Sequence, residues 1–278
     1  MRLRLTLRRI SKICNLPLNY QPYIAANIYR LIEKSSPAYA AFLHDEGYQE
    51  KNKRFKHFTF GQLQIPRHLR EIERDRLLVK ADKIRLEVSF LVTKASENFL
   101  MGVFQQQRIT IIDKYAHNEF VIDQIEVVKV ALESTTVTLR TLSPLVIGTQ
   151  GKEERTCTYL SPTNPDYARL FLGNLQSKYQ SYVTQVDASE VAQHEVVPEF
   201  EFLKLTHPKP KLVAIKPRQN IKFKGYLFDF RLTAPIEMIK VGFFGGFGRG
   251  CSYGMGMTRV IKEQEVIPVV EHSSSEAF

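Results

Sequence analysis

No apolar run in the sequence approaches the ~18–20 residues that a membrane span needs, so a membrane-spanning helix is excluded. Cysteine is scarce: Cys14, Cys157 and Cys251 are odd in number and far apart. Such a set excludes a disulfide framework and a clustered zinc site, and it fits a reducing cytoplasm. No GxxxxGK[ST] run occurs, which removes phosphate-loop nucleotide chemistry. His44, His57 and His68 have no Cys or paired-carboxylate neighbours at metal-ligand spacing, so neither a metal nor a cofactor is expected. MRLRLTLRRI lacks an apolar h-region and is not expected to act as a secretory signal. Acid is missing from two whole stretches. Residues 1–32 carry Arg2, Arg4, Arg8, Arg9, Lys12 and Arg30 with no Asp or Glu, and residues 204–224 carry seven bases with none.

What is present is a basic chain with ample core material. Its 278 residues hold 39 Lys+Arg against 29 Asp+Glu, a formal charge of +10, with 44% hydrophobic residues. That length allows one large domain or two of ~100–150 residues, and the hydrophobic content excludes wholesale disorder. The positive balance favours an anionic partner. If the fold joins the two acid-free stretches, they make a surface that tracks phosphates; otherwise they are separate solvated faces.

Periodicity outlines the elements. Arg2-Leu3-Arg4-Leu5-Thr6-Leu7 alternates strictly and predicts a strand with its leucines inward. Tyr20, Ile24, Ile28, Leu31 and Ile32 share one helix face. Ser36-Pro37 predicts a restart, with serine as N-cap and proline at the first helical position. That short helix is predicted to stop at Gly47 with a left-handed cap. Residues 55–65 read as one strand, 75–80 and 83–92 as a hairpin pair, 93–105 as a helix, and 107–113 and 119–131 as strands. A strand at 135–142 and a helix from Asn164-Pro165-Asp166 to Thr184 follow, then strands at 198–206, 211–217 and 220–232. A short helix at 235–243 and a strand at 256–262 close the series, and the tail HSSSEAF is predicted to fray. The order β-α-β-β-α-β occurs twice, which predicts an α+β protein of two tandem ferredoxin-like (RRM-like) domains, residues 1–132 and 133–278.

Seven of the fourteen glycines fall between Gly242 and Gly256. Each adds backbone entropy that folding must remove, so the density needs a reason. One reason is close approach by a phosphate backbone, with main-chain N–H groups forming a nest, Arg249 adding charge, Ser252 a hydroxyl, and Phe247 and Tyr253 stacking on bases. The other is a tight helix-to-strand connection. The dinucleotide pattern GxGxxG fails, because Cys251 stands where its third glycine would be.

The run GGFGRGCSYGMGM (245–257) resembles the C-terminal glycine-rich signature of the RAMP superfamily of CRISPR proteins. LPLNYQPYIAANIYRLIEKSSPAYAAFLHDEGY (16–48) and KHFTFGQLQI (56–65) narrow the resemblance to the CRISPR-associated endoribonucleases that process precursor crRNA. The resemblance implies two ferredoxin-like domains and metal-independent cleavage of repeat RNA. Its Tyr, His and Lys set falls by position on Tyr29, His44 and Lys56, in the first domain. Lys51, Lys53 and Arg54 in QEKNKRF lie nearby, so which lysine functions stays open. It further implies RNA contacts from Gly246, Gly248, Arg249, Gly250, Ser252, Gly254 and Gly256, to which the charge pattern adds Lys216 and Arg218. CRISPR repeat RNA is the implied partner; a CRISPR effector complex and a homodimer are open as others.

The chemistry suits those residue types. A deprotonated ribose 2′-hydroxyl, aligned with the adjacent phosphate, cuts its own strand and leaves a 2′,3′-cyclic phosphate and a 5′-hydroxyl. This needs a proton acceptor, a donor for the leaving oxygen and positive charge, but no metal. Histidine titrates in the right range. Tyr29 read alone is a core aromatic, and His44 read alone is an interior histidine. A period-two strand through Lys56, Phe58 and Phe60 would turn Lys56 towards His44 and His57 away, although His57 stays a competitor. Two other readings share the fold: a non-catalytic RAMP-type RNA-binding subunit of an effector complex, and a general single-strand RNA-binding module. The second lacks an RNP1-type run.

Overall fold

The structure, a computed structural model, describes residues 1–149, 157–190, 196–216 and 221–266. Arg218 and the tail HSSSEAF lie outside the described residues, and Lys216 is described only as the last residue of a strand.

The alternation at the start forms β1 (Arg2–Arg9), with Leu3, Leu5 and Leu7 buried. After β2 (Cys14–Pro17), the apolar face of α1 (Gln21–Ser35) covers those leucines with Ile24, Ile28, Leu31 and Ile32. Ser36 is extended, as a residue before proline must be, and its hydroxyl accepts from Tyr39 N to cap α2 (Pro37–Ala41). The chain continues through β3 (Tyr48–Glu50), β4 (Lys53–Phe55), β5 (Phe58–Phe60), β6 (Arg70–Glu73), β7 (Arg76–Val79) and β8 (Lys83–Phe90). Then come α3 (Thr93–Gln105), β9 (Arg108–Ile112) and β10 (His117–Val127). The main sheet runs β5-β8-β1-β10-β9, antiparallel throughout.

The second half repeats the plan. It comprises β11 (Thr136–Thr141), β12 (Gly148–Thr149), β13 (Thr158–Tyr159), α4 (Tyr167–Gln185), β14 (Glu199–Leu205), β15 (Lys211–Lys216), β16 (Ile221–Gly225), β17 (Phe228–Thr233), α5 (Ile236–Gly245) and β18 (Thr258–Val260). Its sheet runs β14-β17-β11-β18. In the second sheet the strand before the first helix, β11, sits between the third and fourth strands, the split β-α-β order of a ferredoxin-like fold; the first sheet keeps this order with β1 between β8 and β10 and has β9 as an added edge strand. Phenylalanines fill both cores: Phe58, Phe60, Phe90 and Phe99 in the first, and Phe171, Phe228, Phe230 and Phe247 in the second, are all fully buried.

Three sequence expectations are corrected. The single strand expected at 220–232 is two, β16 paired with β15 and β17 set between β14 and β11. β7 does not pair with β8; it joins β2 and β6 in a separate three-stranded sheet, while β8 lies between β1 and β5. The single strand expected at 55–65 is broken at His57, whose φ of 52° is left-handed. Lys53–Phe55 therefore pairs back on Tyr48–Glu50, while Phe58–Phe60 enters the main sheet beside β8, followed by a single bridge from Gln64 to Arg85.

Four of the six bases in the first acid-free stretch are engaged within the fold. Arg4, Arg8 and Arg9 pair with Glu87, Asp123 and Asp82 at 2.9, 3.2 and 2.9 Å. Arg2 is only 2% exposed. Its guanidinium donates to Thr258 O (2.7 Å) and Phe243 O (3.2 Å) and lies 4.1 Å over the Phe243 ring, so it joins the first strand of the chain to the second half. Burial lowers its pKa to about 10, which still leaves it charged at neutral pH. The second stretch touches the first through neutral Asn19, which exchanges hydrogen bonds with the Ala214 backbone in β15.

α1 and α3 meet backbone to backbone. A Cβ on Gly102 of α3 would stand 1.7 Å from the Leu31 carbonyl oxygen of α1, so only glycine allows this approach. Leu31 is two residues beyond Tyr29.

Candidate active site

The sequence-predicted trio comes together at one edge of the first unit. Tyr29, from α1, packs its ring edge-on against His44, with centroids 5.9 Å apart, and against Phe58 at 5.5 Å. Its phenol lies close enough to the Ser252 hydroxyl for that group to act on its ionisation. Burial, only partly offset by Ser252, raises the Tyr29 pKa. The phenol is therefore protonated at neutral pH and acts as a hydrogen-bond donor, not as a base.

His44 belongs to a π-helical turn, Phe42–Glu46, that follows α2. The wider turn is closed by Gly47 N donating to Phe42 O at 2.7 Å. Gly47 has φ 66° but ψ −174°, so the expected left-handed cap is replaced by a sharp extended exit. A Cβ there would lie 2.6 Å from Phe55 O and 3.0 Å from Lys56 Nζ. The imidazole is 75% exposed. Its Nδ1 lies 2.7 Å from Asp45 Oδ1. An ionised carboxylate only accepts, so Nδ1 carries a proton, and in the neutral imidazole Nε2 keeps the lone pair.

Lys56 Nζ donates to His44 O at 2.9 Å, and Arg54 to Asp45 O at 2.9 Å. Burial and then Arg54 lower the Lys56 pKa, against the pull of Asp45. Lys56 does face His44, but not by strand alternation. The left-handed turn at His57 separates Lys56 from β5 and swings it onto the π-turn. Lys51 and Arg54 are exposed neighbours, and Lys53 is bound to Ser177 Oγ at 2.8 Å.

His57 is not a competitor. It is 2% exposed, and its Nε2 lies 3.0 Å from Ser181 Oγ. Burial, with Lys178 adding to it, lowers its pKa from 6.5 to about 3. The unfolded chain protonates this imidazole near pH 6.5 and the folded chain only near 3, so between these values the unfolded state holds more protons. Stability is expected to fall as pH drops through that window, by up to ~1.4 kcal/mol per pH unit from this group. His57→Asn, which tolerates a left-handed backbone, is expected to flatten the acid limb in urea unfolding at pH 7, 6 and 5. An equally steep limb in the variant would assign the loss to other groups.

The glycine-rich turn is built mainly by packing. The N–H groups of Phe247, Arg249, Tyr253, Gly254 and Gly256 are donated to Gly256 O, Val146 O, Gly250 O, Cys251 O and Pro144 O, each at 2.9 Å. A Cβ on Gly256, whose φ is +69°, would lie 1.8 Å from Phe247 O. Gly246, Gly254 and Gly256 are buried and shape the turn from within, while Gly248, also mostly covered, lines the neighbouring cleft. Phe247 is likewise unavailable for base stacking, since it lies stacked on Phe171 inside the second core. Arg249, Gly250, Ser252 and Tyr253 are the partly exposed members.

Sequence reasoning does not find Lys178. It is 3% exposed in α4, and its ammonium donates to Gly246 O and to Cys251 Sγ (3.0 Å), which pins the turn against the helix. Nothing in its local pattern marks it, because a lysine on a helix is ordinarily solvated. Beside Lys56 and Ser252 a cleft of about 800 Å³ opens between this helix and the turn. Among the described residues no group of three or more His, Cys, Asp or Glu is arranged to hold a metal.

The chain matches two sequence models of one family, "CRISPR-associated protein Cas6, N-terminal" over residues 15–126 and "CRISPR associated protein Cas6, C-terminal" over residues 126–260. It is 28% identical over 251 residues to "CRISPR-associated endoribonuclease Cas6 1" of Methanocaldococcus jannaschii, covering 90% of this chain and 89% of that one. It is 25% identical to "CRISPR-associated endoribonuclease Cas6" of Pyrococcus furiosus, with 88% and 83% covered. A solved structure titled "Characterization of a Cas6-related gene from Pyrococcus furiosus" superimposes with a TM-score of 0.76 at 21% identity, over 95% of this chain and 99% of that one.

Proposed function

Since the chain belongs to the Cas6 family of CRISPR-associated endoribonucleases, we propose that it cleaves CRISPR repeat RNA within precursor crRNA by attack of a ribose 2′-hydroxyl, with Tyr29, His44 and Lys56 as catalytic residues. The observation that carries this assignment is the meeting of an exposed imidazole, a protonated phenol and a partly desolvated ammonium, the last of which lines a cationic cleft. His44 Nε2 takes the 2′-hydroxyl proton as the O2′–P bond forms, and Asp45 on Nδ1 holds the tautomer and stabilises the imidazolium. Tyr29 donates a hydrogen bond that orients the reacting group. Lys56 stabilises the charge on the phosphorane. Its lowered pKa also brings it nearer than an exposed lysine to donating a proton to the departing 5′ oxygen as the P–O5′ bond breaks. The products are a 2′,3′-cyclic phosphate and a 5′-hydroxyl.

In this reading residues 1–132 form the unit with the catalytic groups and residues 133–278 the unit with the glycine-rich turn. RNA is held by Arg249, Gly250 and Ser252, with Lys216 and Arg218 assigned from charge alone. There is room for two protein partners, a CRISPR effector complex and a second copy of the chain. No helix among the described residues is long and apolar enough to cross a membrane, and we take the cytoplasm as the place of action.

The test is incubation of the purified chain with its cognate repeat RNA in EDTA, followed by end-group analysis. Cleavage to a 2′,3′-cyclic phosphate is expected at an undiminished rate. A strict magnesium requirement would reject the mechanism, and binding without cleavage would favour the non-catalytic subunit.

A further inference from the structure

Beyond Lys56 and the glycine-rich turn, the cleft has a wall that the catalytic trio does not use. It is one face of α4, with Arg169, Gly173, Asn174 and Lys178 at helical spacing. Across from it stand Lys53 and Arg54 from the β3–β4 hairpin. With Lys56 and Arg249 the lining holds six Lys or Arg side chains, and among the described residues it includes no Asp or Glu. Low-dielectric walls around charges of one sign concentrate the field on an incoming anion. Those walls are present in Phe55, Leu170, Phe223 and Tyr253. Residues 169 to 178 span roughly 13 Å of helix at 1.5 Å per residue, longer than a single phosphate needs.

The charges differ in how far they are committed. Lys178 is tied to the turn, Arg249 donates to Gly148 O, and Arg54 to Asp45 O. Arg169 is 70% exposed, and among the described residues its ion pair is with Asp166, the N-cap of its helix, at 2.9 Å, an exposed pair that a phosphate displaces at little cost. Lys53 is held by a neutral hydroxyl, Ser177 Oγ. Between them lies Gly173, where a Cβ would meet nothing within 4 Å. A glycine in mid-helix is unfavourable relative to alanine, and here no packing contact of its own requires it. What its missing side chain leaves is open space on the cleft side of the helix.

We propose that this α4 wall is a second RNA track, which seats the single-stranded nucleotides flanking the scissile phosphate, with Arg169 and Lys53 on their phosphates and Gly173 as the open floor over which the strand passes. The inference rests on the endoribonuclease reading and extends it to a part of the molecule that the family motifs do not mark. Arg169 and Gly173 are positioning residues: they hold the strand whose neighbouring phosphate is cut.

The test uses the full chain and repeat RNA carrying a single 2′-deoxy substitution at the cleavage site, so that binding is read without turnover. Gly173→Leu is expected to keep or raise the melting temperature and to weaken RNA binding at least tenfold. Arg169→Ala is expected to weaken binding several-fold and to make the slope of log K against log salt shallower by ~0.7, one single-strand phosphate contact. Both variants should lose hydroxyl-radical protection on the nucleotides next to the scissile phosphate. Wild-type affinity and footprint in both would overturn the proposal. So would a loss in Arg169→Ala alone, which would put the strand on the outer rim. If the wild-type chain cleaves no repeat RNA, the endoribonuclease reading fails on its own; if it cleaves while both variants bind normally, only the track fails.

Discussion

His44→Ala is expected to slow cleavage of repeat RNA by ~10²–10⁴-fold, the range ordinarily supplied by one positioned acid or base. Affinity for the RNA and the melting temperature should change little. The imidazole is 75% exposed and its one hydrogen bond goes to the exposed side chain of Asp45, so its removal leaves no cavity and no buried group without a partner. Single-turnover rates with saturating enzyme separate this from a binding defect, because a residue acting only in the transition state lowers the rate and leaves the dissociation constant alone. Full activity in the variant would remove the imidazole from the mechanism. Asp45→Asn should give a smaller loss, since it perturbs the tautomer and leaves Nε2 in place.

The second large effect concerns Arg2, which no reading of charge would single out as structural. Arg2→Ala is expected to destabilise the protein by roughly 2–6 kcal/mol, since it strips donors from two buried carbonyls at ~1–3 kcal/mol each. The acceptors, Thr258 O and Phe243 O, belong to β18 and α5. The loss should therefore appear as early exposure of the second half in hydrogen exchange, ahead of the first. Arg2→Met keeps much of the contact with Phe243 but supplies no donor; equal stability in that variant would show that packing, not hydrogen bonding, holds the joint.

Much of this arrangement is legible from residue pattern. The alternating leucines of β1, the face of α1 and the Ser36-Pro37 restart are local signals, and local signals lead to the right elements. The trio was legible through motif resemblance, because Tyr29, His44 and Lys56 lie within one short span of sequence. Long-range choices were not. β7 and β8 have equal claims to a hairpin until the sheet forms, and β1 then takes β8 by offering it a fully buried partner. The period-two argument for Lys56 reached the right side for the wrong reason, since no pattern announces that a histidine will take a left-handed backbone. Formal charge misled most: an acid-free stretch supplied ion pairs and a buried joint, because its partners Glu87, Asp82 and Asp123 lie far along the chain. Lys178 and the wall of α4 become visible only once the turn is folded against the helix.

The contact of Gly102 with the Leu31 carbonyl bears on how this fold tolerates change. Where two helices touch main chain to main chain at one point, no rotamer at that point can shift to absorb an added methyl group, so the whole helix must tilt. The phenol of Tyr29 rides on that helix. A drift at position 102, remote from any substrate, would be felt as misalignment at the reacting oxygen, and compensation would have to come from the opposite end of the same rod.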